Sequence, residues 1–180
     1  MKKYLLLLFL IGTGLMIFVM AKTGQPLKTA DTPKGIIHLE LTFGQEHAAK
    51  VIAAWTKSDT QPVDIIAAAK ENTWWDFIFI FFYVSFLFTA ALKIAAQYQE
   101  GNFMQRASMF FARLILVEAF LDILENIGMF QMLNGSMSDN ISYFTSYISA
   151  IKWASVALVI LFVLIAGVYT LVSKNRQQSY

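Results

Sequence analysis

The 180-residue chain contains no cysteine. Disulfides, thiolate metal sites and thiol redox chemistry are therefore excluded together. Charge is also scarce: 14% of residues are charged, where soluble domains carry about 25%. The formal net charge is only +2, and no basic cluster occurs beyond the flanks of the apolar runs. That leaves no electrostatic footprint for a polyanion, so no nucleic-acid partner is expected. There are two histidines, His38 and His47, and no H-E-x-x-H. Carboxylates with an amide suit hard cations, which want six or more oxygens, so no metal is expected. There is no G-x-S-x-G and no phosphate-cradling glycine loop, and no cofactor is expected. What the chain has instead is apolarity: 57% of residues are hydrophobic and the mean hydropathy is +0.56.

That apolarity is concentrated in runs. The first spans about residues 4–21 behind Lys2 and Lys3. A signal peptide and a membrane anchor compete here. The uncharged run, Tyr4 to Ala21, is 18 residues long. That approaches the ~20 needed to span a bilayer and favours an uncleaved helix. Further runs lie at about 74–97, 107–133 and 145–172. Trp74 and Trp75 open the second, where amphipathic rings prefer the interface. The fold class expected is an all-α integral membrane protein: a four-transmembrane-helix bundle, one membrane domain over 1–180, in contact with the lipid bilayer. Lys2, Lys3, Lys93, Arg106, Lys174 and Arg176 fall on one side, while the 133–144 loop has neither Lys nor Arg. The positive-inside rule then puts both termini in the cytoplasm.

Residues 22–73 are the one long polar region, with six lysines and six acids. They are expected to form a small extracytoplasmic helical cap, too short for a core of its own. Within it, "GIIHLELTF" alternates, with Ile37, Leu39, Leu41 and Phe43 on one side and His38, Glu40 and Thr42 on the other. This spacing predicts an extended segment. "EHAAKVIAAW" places Ala48, Val51, Ile52 and Trp55 at helical spacing and predicts an amphipathic helix. "VDIIAAAK" predicts a short helix beginning near Pro62, a favoured first-turn residue.

The third run carries "LVEAFLDILENIGMF". At about 100° per residue, Glu118, Asp122 and Glu125 share one narrow stripe, with Asn126 at its edge. Each acid at mid-membrane costs about 2.5–3.5 kcal/mol on insertion scales, and like charges on one face repel. The stripe must therefore face the bundle interior, with some acids protonated or a cation among them. A short loop makes the third and fourth helices antiparallel neighbours. Glu125 and Lys152 then lie at the same depth, roughly 10 Å from the outer ends of their helices at about 1.5 Å per residue. Lys152 is the expected counter-charge to Glu125 or Asp122. Arg113 lies about 140° from Glu118 on the wheel and faces elsewhere. Asp76 below the Trp pair, and His38 and Glu40 from the cap, would join one outward-opening polar site if the cap folds over the bundle mouth.

Intramembrane ionisable groups point to binding or proton handling, here of a small cationic or polar amphiphilic ligand. A structural network that fixes helix register is the plainer account. Two other readings stay open. The chain is an accessory subunit docking other membrane subunits through its aromatic second helix, or it is a membrane-embedded enzyme using paired carboxylates as acid and base. The sequence suggests no substrate for the last.

The pattern Asp122-x-x-Glu125-Asn126 resembles one in uncharacterised small bacterial four-helix inner-membrane proteins. In those it accompanies an F-E-L-A-like outer segment ending in Trp, and a Lys early in the last helix. "HLELTFGQEHAAKVIAAW" keeps Glu40, Leu41 and Trp55 of that segment but not the Phe, and Lys152 matches the Lys. The resemblance implies a bacterial inner-membrane location and this choice of residues. It carries no activity.

Overall fold

The computed structural model describes residues 3–57 and 63–177. Those residues form six α-helices and one 3-10 turn, with no strand among them. In chain order they are α1 (Lys3–Thr23), the turn Gln25–Leu27, α2 (Ile37–Glu40), α3 (Gln45–Thr56), α4 (Ile65–Ala95), α5 (Phe103–Leu133) and α6 (Asp139–Gln177). Three of them, α1, α4 and α6, are long and apolar enough to cross a membrane. The fourth long helix, α5, has the same 31-residue length as α4 but carries the acids.

The long helices pack in series, α1 on α4, α4 on α5 and α5 on α6. Close approach needs small residues at two of these seams. Gly12 of α1 lies so near the Phe82 ring that a Cβ there would overlap it. Gly14, two residues on, faces open space. Gly128 of α5 sits against the Thr145 side chain of α6 in the same way. At the end of α1, Asn72 of α4 donates to the Met20 carbonyl (3.1 Å) and to Thr23 Oγ1 (2.7 Å).

The segment linking α1 to α4 has no core of its own. Leu27, Leu39, Ala48 and Trp55 bury against Ile65 and Ala69 of α4 and Met129 and Met132 of α5. Val51 and Ile52 are half-buried on the same cluster, as the amphipathic spacing of α3 requires. Trp55 Nε1 donates to the Leu27 carbonyl (3.2 Å) and to Thr32 Oγ1 (3.0 Å), pinning α3 to the turn.

Three sequence expectations fail here. First, "GIIHLELTF" is not extended: with no strand beside it to take its backbone bonds, it coils into α2 and a turn. Leu39, Glu40 and Thr42 are buried, while Leu41 and Phe43 are each 38% exposed. Phe43 takes a positive φ of 45° as the chain turns into α3, and its N–H donates to Ser146 Oγ (3.0 Å). Second, "VDIIAAAK" is no separate helix. It is the first turn of α4, whose N-cap is Asp64: its side chain accepts from the Ala67 N–H (3.0 Å). Residues 65–73 of the expected cap thus belong to α4, and Pro62 lies outside the described residues. Third, α5 and α6 start four and six residues earlier than the apolar runs do, at Phe103 and Asp139 against 107 and 145. Asn102 caps α5 by accepting from the Met104 N–H (2.8 Å). Such caps are polar, so hydropathy misses them.

Candidate functional site

The stripe of α5 faces inward. Glu118, Asp122, Glu125 and Asn126 are all buried, because α4 covers one side of that face and α6 the other. Across the α5–α6 seam, the Lys152 ammonium donates to Asp122 Oδ1 at 3.0 Å and lies 2.5 Å from Glu125 Oε2. The second contact is a close ion pair, and the other Glu125 oxygen, Oε1, has no hydrogen-bond partner among the described residues.

From α4, Tyr83 reaches the deeper part of the stripe. Its hydroxyl lies 2.8 and 2.9 Å from the two Glu118 oxygens and 2.6 Å from Asp122 Oδ2. A phenol carries one proton, so it cannot donate fully to two carboxylates at once. The second short contact calls for a proton on one of the carboxyls, donated back to the phenol oxygen. Asp76, one helical face with Tyr83 and half-buried, accepts from Asn126 Nδ2 at 2.8 Å. That bond fixes the amide orientation and leaves Asn126 Oδ1 buried with no donor. From α2, Glu40 is buried and accepts from Trp153 Nε1 of α6 at 3.0 Å.

The result is a chain of polar groups, Glu125–Lys152–Asp122–Tyr83–Glu118, flanked by Asp76–Asn126 and Glu40–Trp153. Glu118 and Glu125 are seven residues apart, so the chain covers about 10 Å of the helix axis. Beyond Glu118, packing becomes apolar: Leu87, Ile115 and Val159 close the core. Phe111 and Phe162 stack at 4.2 Å behind them. The polar chain thus ends blind at one end and meets the linking segment at the other.

Of the residues singled out from sequence, Glu40, Asp76, Glu118, Asp122, Glu125, Asn126 and Lys152 come together here. His38 does not. It is half-buried on the other side of α2, beside Lys34 and His47. Arg113 is exposed on α5. Sequence reasoning missed Tyr83 and Trp153. Tyr83 hid inside the phenylalanine-rich run "FIFIFFYVSF", although it stands seven residues from Asp76 and so on its face. Among the described residues, no group of three or more His, Cys, Asp or Glu side chains has an arrangement that would hold a metal ion.

No protein-family model matches this chain, and neither does any curated protein or solved structure.

Proposed function

We propose that the chain is a four-span bacterial inner-membrane protein whose buried acid–lysine chain takes up protons, or a small cationic group, from the outer side. The fourth span is α5. Its outward face is apolar, with Leu116, Val117, Phe120, Ile123 and Ile127 exposed, and its ionisable groups other than the arginines turn inward. The linking segment is the extracytoplasmic cap, and both termini are cytoplasmic by the lysine and arginine distribution. The resemblance at Asp122, Glu125 and Asn126 supports the bacterial inner membrane.

One observation carries the functional reading: acceptors outnumber donors inside the core. Among the described residues, four buried acids (Glu40, Glu118, Asp122 and Glu125), with the half-buried Asp76 beside them, meet a single ammonium, and Glu125 Oε1 and Asn126 Oδ1 are buried without hydrogen-bond donors. Buried charge without compensation is too costly to persist. Additional protons or a cation must supply the deficit. The Leu87, Ile115 and Val159 plug makes the path a blind one, so the reading is uptake and release on one side rather than conduction.

Native mass spectrometry of protein extracted gently from its membrane tests this. A bound cationic molecule, lost in the Asp122→Asn, Glu125→Gln double variant, names the occupant. A chain free of bound molecules leaves the proton in that role. A fixed-stoichiometry partner subunit, retained equally by wild type and double variant, would replace this reading with an accessory-subunit role.

A further inference from the structure

A second polar site lies in the linking segment, away from the buried acids. A cleft of about 250 Å³ opens between α2 and α3. Its polar lining is Lys34, His38, Thr42 and His47, and its apolar lining is Ile37, Leu41 and Val51. No acid lines it. Thr42 is buried, and its hydroxyl has no hydrogen-bond partner. His47 Nδ1 sits 2.8 Å from the Thr42 carbonyl oxygen. A carbonyl only accepts, so Nδ1 carries hydrogen and Nε2 is the nitrogen left for a ligand. Among the described residues, neither the Lys34 nor the His38 side chain makes an ion pair or hydrogen bond.

We propose that this cleft binds a small oxyanion, a phosphate or carboxylate group bearing a short apolar part. Lys34 supplies the charge, His38 supplies a directional donor, and His47 donates through Nε2 when its ring carries both protons. Ile37, Leu41 and Val51 take the apolar part. A cation is disfavoured by the ammonium and by the absence of any carboxylate. The charge of the lining is the decisive feature: an ammonium and two imidazoles share one cleft and, among the described residues, no carboxylate does, so an anion is what it complements. The cleft and the acid chain share α2, since His38 faces one and Glu40 the other.

Nitrogen-15 spectra of the histidine side chains, on the full chain, test the proposal. Inorganic phosphate is titrated into protein in neutral detergent. In parallel, the protein is placed in nanodiscs of phosphatidylcholine alone or with phosphatidylglycerol. Saturable shifts of both His38 and His47 with phosphate, weakened about tenfold in Lys34→Gln as for loss of one charged hydrogen bond, identify a soluble oxyanion. Shifts seen only with phosphatidylglycerol, and reduced in Lys34→Gln, identify the same site holding a lipid headgroup. Lys50→Gln, an exposed position outside the cleft, should respond as wild type. Histidine signals that move in neither arm would overturn the proposal. So would equal shifts in wild type and Lys34→Gln.

Discussion

Replacing Lys152 with Met is the sharpest test of the core's electrostatics. The two side chains have similar length and both suit a helix, so the change is mainly one of charge. Lys152 holds two acids at once, Asp122 Oδ1 at 3.0 Å and Glu125 Oε2 at 2.5 Å, and both of those carboxyls are buried. Removing the ammonium leaves buried acids uncompensated. Breaking a buried pair in this way costs about 3–5 kcal/mol, a large share of the roughly 5–15 kcal/mol that holds a typical domain together. The assay is unfolding of purified protein in a fixed detergent, with helix content as the signal. Lys152→Met should unfold far more readily than wild type. Adding Asp122→Asn and Glu125→Gln in the same background should recover most of the loss, because the orphaned charges are then gone. A Lys152→Met protein as stable as wild type at neutral pH would refute the ion pair. Failure of the triple variant to recover would show that Lys152 acts by packing rather than by charge.

Other parts of the structure make separate predictions. Gly128→Val drives a side chain into Thr145 across the α5–α6 seam and should cost about 1–3 kcal/mol as overpacking, partly relieved by Thr145→Ala. The same unfolding assay reads it. Trp55→Phe keeps the buried ring but removes the N–H bonds to the Leu27 carbonyl and Thr32 Oγ1. A loss of about 1 kcal/mol is expected, with faster amide exchange confined to the linking segment. At Glu46, the hydrogen bond and charge of Lys50 hold the carboxyl below its ordinary range. A depressed carboxylate pKa contributes stability that is present above the unfolded value and fades as pH falls through the folded one. Lys50→Ala should therefore raise the Glu46 midpoint in a carbon-13 titration, with little effect on unfolding because the pair is exposed.

The long helices were legible because a helix satisfies its own backbone bonds and needs only an apolar run to declare itself. The inward stripe was legible for a similar reason: 100° per residue fixes which of Glu118, Asp122 and Glu125 share a face. Lys152 followed from antiparallel depth alone, and the structure sets it between Asp122 and Glu125. What sequence concealed depends on long-range packing. Alternation across 37–43 reads as a strand, but α2 takes Leu39 and Glu40, neighbours in sequence, into the interior together. Glu40 finds its donor on Trp153, 113 residues away, and no local pattern encodes that. Tyr83 was recoverable from its seven-residue spacing to Asp76. In a phenylalanine-rich run, however, hydropathy outweighs a single hydroxyl.

The measurement that bears most directly on the central claim is the infrared difference spectrum of the carboxyl C=O band between acidic and neutral pH, recorded in nanodiscs. A protonated-carboxyl band is expected at neutral pH, one that exchanges with deuterated water, loses intensity in Glu118→Gln and shifts in Tyr83→Phe. A wild-type spectrum with no protonated-carboxyl band at neutral pH, from protein in which native mass spectrometry also finds no bound cation, would contradict the central claim. Four buried acids would then be carried with neither protons nor a cationic guest.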